Sequence, residues 1–242
     1  MAFRLVEPLP PPVLDAVLAG GWYRSGQYLF TTNRLIMEVE EEIIISDVLW
    51  ARVDMEGWQP TKRHKRLEAT NRSFSLKYSD AVITPEIEGL YEIYLEHTAL
   101  DSGPTAAAVL LGEGNDTNFF PGRMMTVRDG KQLIAVGYFD EGEQATAGIL
   151  NFYHPDYRQY SLGLWLYFEE IRWTSKAGKR WYYPGYIATQ YPKFDYKLLA
   201  GPERMTVRDP DTGVWIPYSE SRHAAYHREK NSGGSDAASF ES

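Results

Sequence analysis

The chain has 242 residues, 43% hydrophobic and 24% charged, with a formal net charge of -8, enough for one large or two small domains around a sizeable core. Its lack of cysteine excludes disulfides, thiolate metal sites, iron–sulfur clusters and a cysteine nucleophile. The acidic balance argues against generic nucleic-acid coating, no apolar run approaches the roughly 18 residues of a membrane span, and the opening MAFRLVEPLPPP has no signal-peptide centre, so a cytoplasmic protein is expected.

The first predicted element is a helix over Pro12–Ala19, with proline at its start, apolar residues at three- and four-residue spacing and a stop at Gly20-Gly21. Trp22 to Phe30 reads as loop into strand. The charged run Glu38 to Glu42 precedes strand-like segments at Ile43–Ile45 and Val48–Val53, and a basic segment lies at Lys62-Arg63-His64-Lys65-Arg66. Thr84-Pro85 opens a second helix, threonine as cap and proline in the first turn, with Ile87, Leu90, Tyr91, Tyr94 and Leu95 forming one stripe. The composition loosens after His97, and a soft domain boundary falls near residue 100.

Lys131–Phe139 and Ala145–Tyr153 then read as an antiparallel strand pair. Ser161 is the expected N-cap of a helix over Leu162–Lys176, which ends at Gly178. Arg180–Ala188 is a strand whose Pro184-Gly185 predicts a bulge or splayed edge. The chain turns polar from Ser219, and 221–242 is expected to be a disordered tail. His223 and His227 have the i, i+4 spacing of metal ligands on a helix, but no third ligand lies nearby in sequence and they border this tail, so no metal site is expected there.

A strand, a loop and a helix start in that order can bind an anion through free backbone amides. Here the loop is Arg158-Gln159-Tyr160-Ser161-Leu162-Gly163, which resembles the pyrophosphate loop of the GNAT acyltransferases, with Ser161 where their first glycine stands. A longer series is more specific: Ala135-Val136-Gly137-Tyr138-Phe139-Asp140, Phe152-Tyr153-His154-Pro155-Asp156, Ser161-Leu162-Gly163, Tyr183-Pro184-Gly185-Tyr186-Ile187 and Asp195-Tyr196-Lys197. With Gly21-Trp22-Tyr23-Arg24-Ser25-Gly26 upstream, it resembles the aminoacyl-tRNA–protein transferases, the arginyl and leucyl transferases of the N-degron pathway, over roughly residues 13 to 218. The family's Asp-Pro-Asp is His154-Pro155-Asp156 here and its Tyr-Leu-Gly-Tyr is Tyr183-Pro184-Gly185-Tyr186. Family N-domains usually carry cysteines that hold a metal or an iron–sulfur cluster; this chain has none, which implies no cysteine-based redox sensing.

The resemblance implies an α/β (α+β) protein: a GNAT-like C-terminal catalytic domain over 101–220 and a smaller N-terminal α+β domain over 1–100. It implies transfer of an amino acid, arginine or leucine, from aminoacyl-tRNA to the N-terminal α-amine of an acceptor protein, with no cofactor, metal or membrane. The ester is already activated, and the α-amine has a reference pKa near 8, so positioning, a proton acceptor and oxyanion stabilisation would suffice. Asp195 is the candidate proton acceptor, Tyr196 the relay or oxyanion donor, and Lys197 the contact to phosphate or ester; an aromatic strand with a solvated ion pair is the plainer alternative. Arg24, beside Ser25, could take an acidic first residue of the acceptor through its planar fork, or form an internal salt bridge. Lys62, Arg63, Lys65 and Arg66 are candidates for tRNA phosphate, against a merely solvated charged face. Tyr153 and Tyr186 could stack on the terminal adenine beside the loop of Ser161 and Gly163, or simply pack in the core. Two other functions fit the same fold: a coenzyme A-dependent N-acyltransferase, which a side chain at Ser161 disfavours, and a non-catalytic binder of N-termini or tRNA.

Overall fold

The computed structural model describes residues 1–5, 7–39, 42–98, 103–112 and 114–233. Among these, the strands are β1 (Ala2–Leu5), β2 (Tyr23–Ser25), β3 (Tyr28–Thr31), β4 (Arg34–Val39), β5 (Glu42–Asp54), β6 (Ser75–Asp80), β7 (Gly122–Asp129), β8 (Gln132–Glu141), β9 (Ala145–Tyr153), β10 (Trp181–Ala188), β11 (Met205–Arg208) and β12 (Trp215–Pro217). The helices are α1 (Pro11–Ala19), α2 (Lys62–Thr70), α3 (Pro85–Leu95), α4 (Ala106–Leu111), α5 (Leu162–Lys176) and α6 (Arg222–Gly233), with 3-10 turns at Pro155–Tyr160, Pro192–Ala200, Pro202–Arg204 and Tyr218–Glu220. No helix among the described residues is long and apolar enough to cross a membrane. The fold is mixed α/β.

The chain divides into two compact units, one of residues 2–31 and 55–183, the other of residue 1, 32–54 and 184–242. This division differs from the boundary near residue 100, because residues 55–98 group with the later strands. Residues 99–102, at that expected boundary, lie outside the described residues.

In the larger unit β6, β7, β8 and β9 form an antiparallel run, and β10 joins β9 in parallel through Trp181–Tyr183. The pairing of β8 with β9 is the strand pair expected from sequence. Side chains alternate through the sheet. Met124, Val136 and Tyr138 pack on one face with Ile87, Leu90 and Tyr91 of α3. Met125, Ala135 and Phe139 pack on the other with Leu162, Trp165 and Leu166 of α5. Both faces of β8 are covered, which is why it reads as an unbroken apolar run. The register slips where Tyr138 faces Leu150 but Phe139 faces Gly148, leaving Ile149 as an extra residue in β9. Helix α3 follows its sequence signals: the Thr84 hydroxyl accepts from Ile87 N, and Ile87, Leu90 and Tyr91 are buried, while Tyr94 and Leu95 are only partly covered.

In the smaller unit β5 pairs with β4 and with β11, and β11 with β12, all antiparallel. The two strand-like segments at 43–45 and 48–53 are one 13-residue strand. Glu40 and Glu41 of the charged run lie outside the described residues. The expected tail is helical over its first part, since α6 runs to Gly233; residues 234–242 are not described. Ser221 Oγ accepts from Ala224 N, a cap that the polar composition concealed.

Candidate functional site

In the larger unit a cavity of about 470 Å3 lies between β7, β8, α4 and the chain after β6. Ala81, Val82, Ile83, Leu110, Leu111 and Tyr138 give it apolar walls, and Asn115, Asp116, Asn118 and Arg123 supply polar groups. Arg24 and Asp140 also line it, both buried, with Arg24 Nη1 2.7 Å from Asp140 Oδ1. The rest of the guanidinium is engaged as well: Nε donates to Gly26 O at 2.9 Å, and Nη2 to Asn118 Oδ1 at 2.9 Å and to Leu110 O. Burial pushes the Asp140 carboxyl above its usual range against the pull of Arg24. Arg24 therefore takes the internal salt bridge, with an aspartate of β8, and its fork is filled by protein groups. Ser25 beside it is exposed.

The loop before α5 departs from its expected capping. Ser161 has φ 51 and ψ 44, the one non-glycine residue with positive φ among those described, and its side chain makes no cap hydrogen bond. The left-handed backbone is what makes glycine the natural choice here, and serine adopts it against a cost of about 1–2 kcal/mol. Gly163 sits under the ring of Tyr153, where an added Cβ would lie 3.3 Å from the ring edge. Tyr153 is half-buried and packs beside Tyr94, with ring centroids 5.9 Å apart. Tyr153 and the Ser161–Gly163 loop are thus brought together as expected.

The basic segment at 62–66 forms the first part of helix α2. Thr61 caps it by accepting from His64 N, and the helix turns His64 inward while Lys62, Arg63, Lys65 and Arg66 stay exposed. None of the four forms an ion pair among the described residues. His64 stacks on Phe168, and its Nε2 stands 3.6 Å from Glu169 Oε1. Glu169, fully buried in α5, also accepts from Tyr78 Oη at 2.8 Å and pairs with Arg172. Burial alone would raise the Glu169 carboxyl, but His64, Tyr78 and Arg172 together hold it below the ordinary range.

In the smaller unit Asp195, Tyr196 and Lys197 lie on 3-10 turns, not on a strand. Lys197 is buried; its Nζ donates to Tyr186 O at 2.7 Å and lies 5.0 Å from the ring centre of Phe194. Tyr186 meets Trp50 edge to face at 5.4 Å, so its ring is committed to packing, while Tyr196 is exposed. Asp195 faces two residues set aside in the sequence: its Oδ1 is 3.0 Å from His223 Nε2 and its Oδ2 3.5 Å from His227 Nε2. Burial holds the His223 imidazole below its usual range, against the pull of Asp195. Neither histidine was recoverable as a site residue from spacing alone, because their partner precedes His223 by 28 positions.

Residues 63–206 match the family described as "Arginine-tRNA-protein transferase, C terminus". An "Aspartate/glutamate leucyltransferase" of Shewanella sp. (strain MR-7) is 26% identical over 198 residues, covering 81% of this chain and 79% of that protein. One from Leptospira interrogans serogroup Icterohaemorrhagiae is 24% identical over 219 residues, covering 88% and 82%. Among solved structures, a putative acetyltransferase of the GNAT family from Novosphingobium aromaticivorans aligns over 77% of this chain and 83% of its own, with 14% identity and a TM-score of 0.37. The family match spans more than half of the sequence, and the chain belongs to the arginine-tRNA–protein transferase family.

Proposed function

We propose that the donated residue is leucine and that the acceptor is the α-amine of a protein beginning with aspartate or glutamate. Membership of the family makes the chain an aminoacyl-tRNA-dependent transferase. The observation that carries the choice of donor is the cavity walled by Ala81, Val82, Ile83, Leu110 and Leu111, which suits a branched aliphatic side chain. Of the two carboxylates that line the cavity, Asp140 is already paired with Arg24, which leaves Asp116 as the acid a guanidinium could meet. The names of the relatives point the same way.

In the reaction the acceptor amine attacks the ester carbonyl of leucyl-tRNA. A C–N bond forms, the ester C–O bond breaks, and the terminal ribose hydroxyl leaves with a proton. The ester is already activated, so orientation and charge stabilisation dominate. The exposed cations of α2 would hold the tRNA backbone, a contribution blind to sequence and sensitive to salt. Tyr153, at the end of β9 with its ring against Gly163, is the proposed platform for the terminal adenine. In the smaller unit Lys197, tied to the Tyr186 carbonyl, is proposed to fix the turn that carries Tyr196. The reaction would run in the cytoplasm, where charged tRNA is found, and would mark the acceptor for degradation.

The test is incubation with leucyl- or arginyl-tRNA and peptides differing only in the first residue, read by mass. A gain of one leucine residue on the Asp and Glu peptides is expected. Gain of arginine, or modification of peptides with a basic first residue only, would overturn the assignment.

A further inference from the structure

We infer that Asp195, His223 and His227 form a binding site for a divalent transition-metal ion of the zinc class. The three come from two segments of the smaller unit. Asp195 sits on the turns of Pro192–Ala200, and both histidines project from one face of α6, four residues apart and therefore neighbours on the helix surface. Their ligand atoms all lie within 4.8 Å of one another.

The separations suit a shared ion. Bonds of roughly 2.0–2.2 Å in a tetrahedron place neighbouring donor atoms about 3.4 Å apart. Here the carboxylate oxygens stand 3.0 and 3.5 Å from the two Nε2 atoms. Two imidazoles and a carboxylate are the ligand types that zinc-class ions accept, and a three-residue set leaves a fourth position for water.

Two further observations favour an ion over a simple hydrogen-bonded cluster. His227 Nε2 is buried and has no hydrogen-bond partner among the described residues, although it points at a carboxylate oxygen. Buried beside a carboxylate oxygen yet not hydrogen-bonded to it, that nitrogen is placed to share a cation with Asp195. His223 is supported from behind, with Nδ1 3.0 Å from Tyr218 Oη. A hydrogen bond on the distal nitrogen is the usual device for fixing the tautomer and aim of a ligating imidazole. His223 has no exposed side-chain surface, whereas His227 and Asp195 are 33% and 25% exposed, leaving the ion a way in. Bound there, it would pin α6 to the turn bearing Tyr196 and Lys197.

The experiment uses the full chain without an affinity tag, stripped with a chelator and titrated with ZnCl2 and, separately, CoCl2. Elemental analysis after gel filtration should give one zinc per chain. Saturating zinc, at about 100-fold over Kd, should raise the unfolding midpoint by roughly 5–10 °C. Cobalt should develop the intense visible absorption of a low-coordinate N/O site. His227→Ala, at a half-exposed position and compatible with folding, should abolish all three responses, and Asp195→Asn should weaken binding at least tenfold. Wild-type protein that retains no zinc and shows no shift, or a His227→Ala variant that binds as the wild type does, would overturn the proposal. A leucine-transfer assay on the stripped protein separates this outcome from the transferase reading: transfer with no metal response removes the ion and leaves the enzyme.

Discussion

Arg24 and the cations of α2 put the same kind of charge to opposite uses. Arg24 is buried, and each of its guanidinium nitrogens donates to a carboxylate, amide or carbonyl oxygen of the chain. Lys62, Arg63, Lys65 and Arg66 are exposed, unmatched by any ion pair among the described residues, and gathered at the start of a helix whose dipole already presents positive charge there. A buried cation surrounded by acceptors holds a fold together. Exposed cations kept where they repel the helix end contribute nothing to stability, and their placement makes sense toward an external polyanion.

Four measurements would sharpen or break this contrast. The largest effect is expected at Arg24→Ala, which strands Asp140 in the interior. A loss of about 3–5 kcal/mol in urea unfolding follows from leaving one partner of a buried pair uncompensated, and a loss below about 1 kcal/mol would show that the pair is dispensable.

Glu169→Gln comes next. The native carboxyl titrates below its ordinary value, so its contribution is complete above the unfolded pKa near 4.3 and disappears as pH falls through the lower, folded value. The variant should lose about 1.5–3 kcal/mol at pH 7, and the gap should narrow on acidification. A gap that widens as the pH drops would reverse the sign of the argument.

Ser161→Gly should stabilise the protein by about 1 kcal/mol, because glycine adopts the left-handed backbone without a Cβ penalty and gives back part of the gain as chain entropy. Destabilisation would mean that the serine side chain has a structural duty in the loop.

The smallest change in stability belongs to the α2 variant with all four cations replaced by glutamine, within about 0.5 kcal/mol of wild type. Its binding should nonetheless change. The slope of log K for tRNA against log salt should become shallower by roughly 3–4. An unaltered slope would return α2 to the status of a solvated face.

The chain order of these elements was legible where one short-range rule governed it. Thr84-Pro85 announced α3, and the apolar runs at 131–139 and 145–153 announced the β8–β9 pair. The period of α2 was hidden because its core face is carried by His64 and half-buried Leu67, which do not read as an apolar stripe. Helix α6 was masked by polarity in the same way, its mean composition resembling a tail although Ser221, His223 and Ala224 are buried. The site residues were legible as types but not as partners. Arg24 signalled a carboxylate, yet which one depended on β2 and β8 meeting 116 residues apart. Asp195 signalled acid–base chemistry, and only the fold brought the two imidazoles to it.

The placement of Lys62 and Arg63 in the first turn of α2 has a consequence for motion. Left to itself, that turn should fray more readily than others, since like charge at a helix start opposes closing its first hydrogen bonds. An incoming phosphate chain removes the opposition and ties the turn down, so the amides of residues 62–66 should exchange with deuterium quickly in the free protein and slow on tRNA addition, most of all in dilute buffer.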